Sequence, residues 1–484
     1  MCEAAVDLSS ATDAGVVDAM AAAARKENAA CAERLAALGE LWARRASDHD
    51  DERMSWAIDG FEDVVAEAGV ALGISRGRAA GQLRYAIALR ERLPKVAEVF
   101  RSGVIDFRIM STIVSRTDNV DDAEQLARVD AALARHVAKW TRLSQPKLDA
   151  RIDMWVAKFD PAGVRLPNQP TDDRYVHIWA NRSGMADVSA LIATPDAVVL
   201  DDRLDQLAAS VCDDDPRTKE QRRADALVAL AANNDRLACR CGSDNCPAGG
   251  DANPLGDVVI HVLAEQATLD GGDTPGYVTG FGTVPAQMVR DMASSAKLTP
   301  LPTPSPIPES GYRPSSALAA WVQARDLTCR FPGCDKPAEV CDIDHTVPWP
   351  QGPTHPSNLK LLCRGHHLLK TFYTGPNGWA DRQLPDGTVI WTAPTGHIYT
   401  TQAEGAVWLP TLARPTGELI IPNTTGPPAG LMAPARGLMM PRRKRTRRMD
   451  RQYRINHERR VNEARLAEEA GKYRAWIDDD RPPW

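Results

Sequence analysis

The stretch from Cys329 to Lys370, CRFPGCDKPAEVCDIDHTVPWPQGPTHPSNLKLLCRGHHLLK, constrains this chain more than any other. Cys329 and Cys334 bracket Pro332-Gly333, a tight-turn dipeptide that lets both sulfurs face one point. Cys363 and His366 have the spacing of a second metal knuckle, about thirty residues on. Three thiolates and one imidazole suit a closed tetrahedral zinc site of the structural kind. The alternative is four unrelated residues in a reduced core, and two correctly spaced half-sites argue against it.

Between the half-sites, apolar and polar residues alternate from Val340 to Val347, which predicts a short strand. Alternation sends Asp344 and His345 to opposite faces unless the strand ends there, and a turn at Pro348 brings both near its mouth. A carboxylate suits a hard ion such as magnesium or manganese, and a neutral histidine beside it suits a general base. Gly352-Pro353 opens a loop, and Asn358 begins the apolar run Leu359 to Leu362. His366 and His367 are neighbours, so on a helix they point about 100° apart. One can bind zinc while the other faces a separate site. The segment therefore reads strand, loop, strand, helix, stapled by zinc. His355 reads as a loop residue, with phosphate contact as the alternative, and Cys341 as a small buried apolar one.

At Asp344-His345, Asn358 and Cys363-Arg364-Gly365-His366-His367 the sequence resembles the HNH endonuclease family, with its ββα-metal fold. The family has Cys where this chain has His366, and histidine is an acceptable zinc ligand. The resemblance implies that His345 is the general base that activates water. It implies that Asp344 and His367 hold one catalytic divalent ion (Mg2+ or Mn2+), and that Asn358 orients His345 or reaches the metal. Cys329, Cys334, Cys363 and His366 would hold a structural Zn2+. RTKEQRRADALVAL from Arg217, together with RDLTCRFPGC and DIDHTVPW, also resembles the actinobacterial 13E12 repeat family, over most of residues 50–400. That family joins an N-terminal domain of unknown function to a C-terminal HNH nuclease. The expected activity is metal-dependent hydrolysis of DNA phosphodiester bonds. The competing expectations are a zinc-stapled DNA-binding protein without catalysis, and an interaction scaffold.

At 484 residues the chain calls for two or three domains, and we expect a multidomain α+β protein. A long N-terminal helix within residues 1–48 carries Leu35, Leu38 and Leu41 on its apolar side. Residues 49–299 read as a helical bundle grading into mixed α+β structure. Arg84, Arg90, Arg92, Arg101, Arg108 and Arg116 of the bundle could form a phosphate-binding face, although a solvated surface is the ordinary explanation. Tyr175 to Trp179 and Asp187 to Ile192 suggest a hairpin or a strand leading into a helix, and Asp257 to Leu263 a buried strand. The Pro-rich segment 300–314 reads as a semi-rigid linker. Residues 315–412 hold the zinc-stapled domain and a hairpin around Pro385-Asp386-Gly387. Residues 413–440 read as a second linker and 441–484 as a basic tail, disordered or helical.

Overall charge is −6, yet residues 441–474 hold 13 Lys and Arg against 5 Asp and Glu. DNA binding would then depend on local patches, and the tail could be an arm that orders on nucleic acid. A second cysteine cluster, Cys239, Cys241 and Cys246, suggests zinc with a fourth ligand from Cys212 or His261, against a flexible loop that binds nothing. The ten cysteines do not spread as a secreted disulfide framework, and no signal peptide or membrane-length apolar run is visible. A reducing cytoplasm is the expected compartment. The oligomeric state is left open.

Overall fold

The computed structural model describes residues 8–46, 51–165, 174–181, 184–248, 260–375, 377–417, 419 and 439–479. The fold is α+β and divides into two compact units. One joins residues 1–166 to 302–484, and the other is residues 167–301. This differs from the expected division, in which residues 49–299 formed one domain and 315–412 another.

The larger unit begins with the helix Asp13–Ala46, on which Leu35 and Leu38 are buried and Leu41 partly buried, the apolar side expected of it. Six further helices of eight residues or more follow between Gly60 and Phe159. Asp59, Asp106 and Asp122 cap three of them, each accepting a hydrogen bond from the backbone N–H three residues on, which satisfies a donor that the helix cannot. Leu35, Leu83, Phe100, Ile113, Leu133 and Ile152 meet in a fully buried core. Three of the six arginines considered for phosphate binding, Arg90, Arg92 and Arg116, are spent on this scaffold. Arg92 donates to Asp118 and to the carbonyls of Thr117 and Val120, Arg116 pairs with Asp153, and Arg90 with Glu40.

The helix Gly60–Leu72 faces two cores at once. Ala66 packs with Phe331, Leu362, Leu369, Trp379 and Trp391 of the C-terminal part. Trp379 donates to Asp63 (3.2 Å), and the Tyr373 hydroxyl donates to the Ile58 carbonyl (3.1 Å). These shared surfaces are the physical reason why bundle and C-terminal region form one unit. In that region the strand Cys341–His345 runs antiparallel to Leu359–Cys363, and the helix Arg364–Phe372 follows at once. The expected hairpin is a three-stranded sheet, Ala380–Gln383, Val389–Thr392 and Ile398–Thr401, with the second strand central. The buried triad of Arg325, Asp326 and Arg330 ties the preceding helix to the Leu361 backbone N–H.

The first linker is held to its neighbours. The unit boundary falls at Leu301/Pro302, where the Pro-rich segment begins, but this segment is not a free spacer. Glu309 N–H donates to the Thr354 carbonyl (2.9 Å), and the Tyr312 ring stacks on His345. The second linker, 413–440, lies largely outside the described residues.

The basic tail is also corrected where it was read as a disordered arm. Residues Arg447–Asp479 form a helix. Arg447 pairs with Asp59 and Glu62, Arg451 with Asp118, and Arg459 with Asp160. Asn462 is fully buried and donates to the carbonyls of Ala162 and Val164. Arg447, Arg451, Ile455, Arg459 and Asn462 recur at three- to four-residue spacing, so one side of the helix meets the acids of the bundle.

In the second unit Tyr175–Ala180 pairs antiparallel with Ala186–Leu191, the hairpin of the two alternatives. The helices Thr194–Ala208 and Lys219–Ala231 enclose a small core of Leu207, Ala226, Ala229 and Leu237. A three-stranded sheet and the helix Ala286–Ala293 complete it. Of the expected strand Asp257 to Leu263, only Val262–Leu263 is a strand, and residues 257–259 lie outside the described residues. No helix among the described residues is long and apolar enough to cross a membrane.

Candidate functional site

The four candidate ligands of the Cys329–His366 knuckle come together. Phe331-Pro332-Gly333-Cys334 closes a turn through a Cys334 N–H bond to the Phe331 carbonyl (3.1 Å). Gly333 takes φ +74°, which a side chain there would resist. Cys363 precedes the first turn of the helix Arg364–Phe372, which carries His366 back toward it. The ligand atoms of Cys329, Cys334, Cys363 and His366 all lie within 4.8 Å of one another. His366 Nδ1 is 3.5 Å from Cys329 Sγ and 3.4 Å from Cys363 Sγ. Phe331 stacks on the His366 ring at 3.9 Å and fixes its plane. Neighbouring sulfurs push the Cys334 thiol far up, while bonds from Cys329 and Cys334 pull Cys363 far down. Three thiols and one imidazole whose ligand atoms converge on one point fit a metal such as zinc. His366, rather than His367, completes it.

The second cluster gathers Cys212 with Cys239, Cys241 and Cys246, again within 4.8 Å. The open choice of fourth ligand falls to Cys212, because a turn after the helix Thr194–Ala208 carries it to 3.4 Å from Cys239. His261 is not in the group.

Alternation along Cys341–His345 puts Asp342 and Asp344 on one face and His345 on the other. His367 lies on the same side as the two aspartates. Its Nδ1 is 2.8 Å from Asp342 Oδ2, and its Nε2 is 3.5 Å from Asp344 Oδ1. Asp344 Oδ2 accepts from both Lys360 and Lys370 at 2.6 Å. Burial alone would push this carboxyl up, but the two ammonium groups outweigh it and hold its pKa down to about 2. Lys360 is fully buried and also pairs with Asp381 at 2.6 Å. Burial disfavours its charge, yet Asp344 and Asp381 raise its pKa above the ordinary lysine value.

His345 turns the other way. Its Nε2 lies 2.9 Å from Thr354 Oγ1, and its ring stacks under Tyr312 at 5.3 Å. The Thr354 hydroxyl proton goes to the Gly311 carbonyl (2.6 Å), so Thr354 accepts from His345 Nε2–H and leaves Nδ1 with its lone pair. Burial lowers the pKa of His345 and favours the neutral ring.

Asn358 does something other than expected. Its Oδ1 accepts from Val347 N–H (2.8 Å), and its Nδ2 donates to the carbonyls of Val347 (3.0 Å) and Pro353 (2.9 Å). Those bonds spend its amide on shaping the 347–353 loop rather than on His345 or a metal. Cys341, half-buried, lies across the strand pair from Cys363.

The sequence reading missed Asp342, Lys360, Lys370, Thr354, Tyr312 and Asp381. Asp342 was within reach, two residues before Asp344 on the same strand face. Lys360 stands opposite Asp344 in the strand register, and Lys370 is one helical turn after His367. Nothing local signals Tyr312 or Asp381, which arrive from distant segments.

Relatives of this chain come from Mycobacterium tuberculosis. It is 45% identical to the uncharacterized protein Rv3776 over 94% of this chain and 91% of that one. It is 44% identical to the uncharacterized protein Rv2100 over 96% of this chain and 90% of that one. A third, described as an uncharacterized protein in the est 3′ region, is 39% identical over 65% of this chain and 97% of its own length. No solved structure matches. The family model described as a domain of unknown function, DUF222, matches residues 22–326, so it takes in the second cysteine cluster and ends before Cys329. With that match across well over half its length, the chain belongs to the DUF222 family.

Proposed function

We propose that this protein is a metal-dependent endonuclease of the HNH type, which hydrolyses phosphodiester bonds in DNA. The observation that carries the reading is the line Asp342–His367–Asp344. Asp342 holds His367 Nδ1, so the Nε2 lone pair points toward Asp344 Oδ1, 3.5 Å away. Donors about 2.1 Å from an octahedral ion stand about 3 Å apart at right angles, so one small hard cation fits between these two with little movement. A carboxylate behind a metal-binding histidine is the usual means of fixing its tautomer and orientation. Lys360 and Lys370 keep Asp344 ionised, which a ligand for such a cation must be.

In this reading the bound Mg2+ or Mn2+ would neutralise the scissile phosphate and stabilise the departing oxygen. His345 takes a proton from water at Nδ1 as that water attacks phosphorus and the bond to the departing oxygen breaks. Thr354 holds the imidazole in the tautomer that can accept the proton. Asn358 supports the reaction indirectly, through the shape of the loop that carries Thr354.

The test is nicking of supercoiled plasmid by the purified protein with magnesium or manganese, beside His345→Ala and His367→Ala. We expect divalent-dependent nicking that both substitutions abolish. Equal nicking by wild type and His345→Ala would rule out the assigned base. A second reading, a zinc-stapled DNA-binding protein without catalysis, is favoured by the burial of His345 beneath Tyr312, since only 6% of its surface is exposed. DNA binding without cutting would select it.

A further inference from the structure

The half-buried cysteines of the smaller unit carry a conclusion that does not rest on the nuclease reading. Cys212 follows the helix Thr194–Ala208, and its carbonyl accepts from Asp215 N–H in a tight turn. The same turn presents the Asp215 carboxylate to the segment that carries the other sulfurs. Asp215 accepts from Arg240 N–H (2.9 Å), and Arg217 donates to the Ala238 carbonyl (2.8 Å). The two residues flanking Cys239 are thus gripped on both sides. Arg217 is bound to Asp215 at 2.7 Å and to Asp225 at 2.6 Å, so the grip is anchored to the helix Lys219–Ala231. Immediately after Cys241, Gly242 takes φ +73° and reverses the chain toward Cys246. A Cys246 N–H bond to the Ser243 carbonyl closes that turn.

Four sulfurs therefore converge from two segments on a scaffold that already holds their backbones. The local core explains why something more is needed. Among the described residues the buried cluster here is Leu207, Ala226, Ala229 and Leu237, two of them alanines, with Leu204, Val211 and Leu230 partly buried against it. Such a core buries little apolar surface, and small domains of this kind are commonly held by a metal.

We propose that Cys212, Cys239, Cys241 and Cys246 bind a zinc ion as a tetrathiolate, which clamps the end of this helix pair in place of a larger core. All four positions of a tetrahedral ion are filled by protein, so the site is structural and has no open position for a substrate. Cys212 is what distinguishes it from a local Cys-rich loop, since it closes the site from a distant segment. The chain then carries two zinc ions of different ligand sets, one held by four thiolates and one by three thiolates and an imidazole.

The test is the metal content of the full chain, purified under reducing conditions without chelator. Two zinc equivalents are expected for the unmutated protein, and one each for Cys212→Ser and Cys246→Ser. Replacing zinc by cobalt in the unmutated protein gives a reading that needs no variant. Its thiolate-to-cobalt absorption should correspond to seven sulfurs over two sites, and should fall by about half in Cys212→Ser as the tetrathiolate is lost. One zinc equivalent in the unmutated chain would overturn the proposal, as would two in Cys212→Ser. A Cys212–Cys239 disulfide found by thiol titration of the freshly purified protein would also overturn it.

Discussion

The two cysteine clusters use nearly the same donors against opposite backgrounds. The set that includes His366 is walled by aromatic rings, with Phe331 stacked on His366 and Trp379 and Trp391 edge-on to Phe331. Those rings belong to a core that also draws Ala66 from the helical bundle. The all-cysteine set sits beside a few small buried side chains and depends on an Asp215–Arg217 grip for its backbone. In the first place a metal would finish a core, and in the second it would stand in for one. The difference also separates reach: the first cluster borders the Asp342–His367–Asp344 line through the doubled histidine, and no such line adjoins the second among the described residues.

The largest effect should come from Cys363→Ser. Structural zinc contributes on the order of 10 kcal/mol to the folds it holds, and Cys363 links the strand, the helix and the metal. We expect loss of the near-UV circular dichroism of the Trp379/Trp391 core together with any nicking. A Cys363→Ser protein with wild-type spectra would show that the aromatic core stands without the ion.

Next is Asp326→Ala, which strands the buried Arg325 and Arg330. Breaking a buried charge network by removing one partner costs about 3–5 kcal/mol, visible as a lower midpoint in denaturant. The same group predicts a pH effect. Burial would raise the Asp326 carboxyl, but Arg325 and Arg330 outweigh it and hold it below the ordinary value. Its stabilisation is therefore fully present above the unfolded value of about 3.9 and is lost as pH falls through the native one. Asp326→Asn should flatten that acid limb.

In the smaller unit Leu207→Ala should cost about 2–3 kcal/mol, the lower end for a buried leucine, because a small core can collapse around the gap. Limited proteolysis between residues 194 and 248 should report it, with little change in the melting of the aromatic core. A global loss of structure would erase the contrast between the two regions.

The smallest expected effect is that of Asp342→Asn, which leaves the fold intact. A residue behind a metal-binding histidine typically changes metal affinity about 10- to 100-fold. The manganese concentration for half-maximal nicking should rise by that factor at unchanged zinc content. If nicking is absent from the wild type, manganese titration by calorimetry reads the same site.

Much of the C-terminal region was legible because its signals are local. Pro332-Gly333 announced the turn, alternation announced the Cys341–His345 strand, and adjacent histidines announced a split of duties. Asn358 was readable as a position but not as a role, because its partners Val347 and Pro353 are set by a loop whose path no periodicity encodes. The tail misled for a related reason. Its arginines look surplus when counted in sequence, and only the folded bundle reveals Asp59, Asp118 and Asp160 as their partners. Cys212 could be named but not chosen over His261, since 27 residues separate it from Cys239.

The Arg447–Asp479 helix has a consequence for the order in which the chain is made. Asp59, Asp118 and Asp160 leave the ribosome hundreds of residues before Arg447, Arg451 and Arg459, with sequence separations of 388, 333 and 299 for these pairs. Contacts of such long range form slowly, although Asp118 already has Arg92 as a partner within the bundle. The bundle's pairing with this helix is therefore among the longest-range in the chain, and Asp160 meets Arg459 only after the 299 positions that separate them are in place.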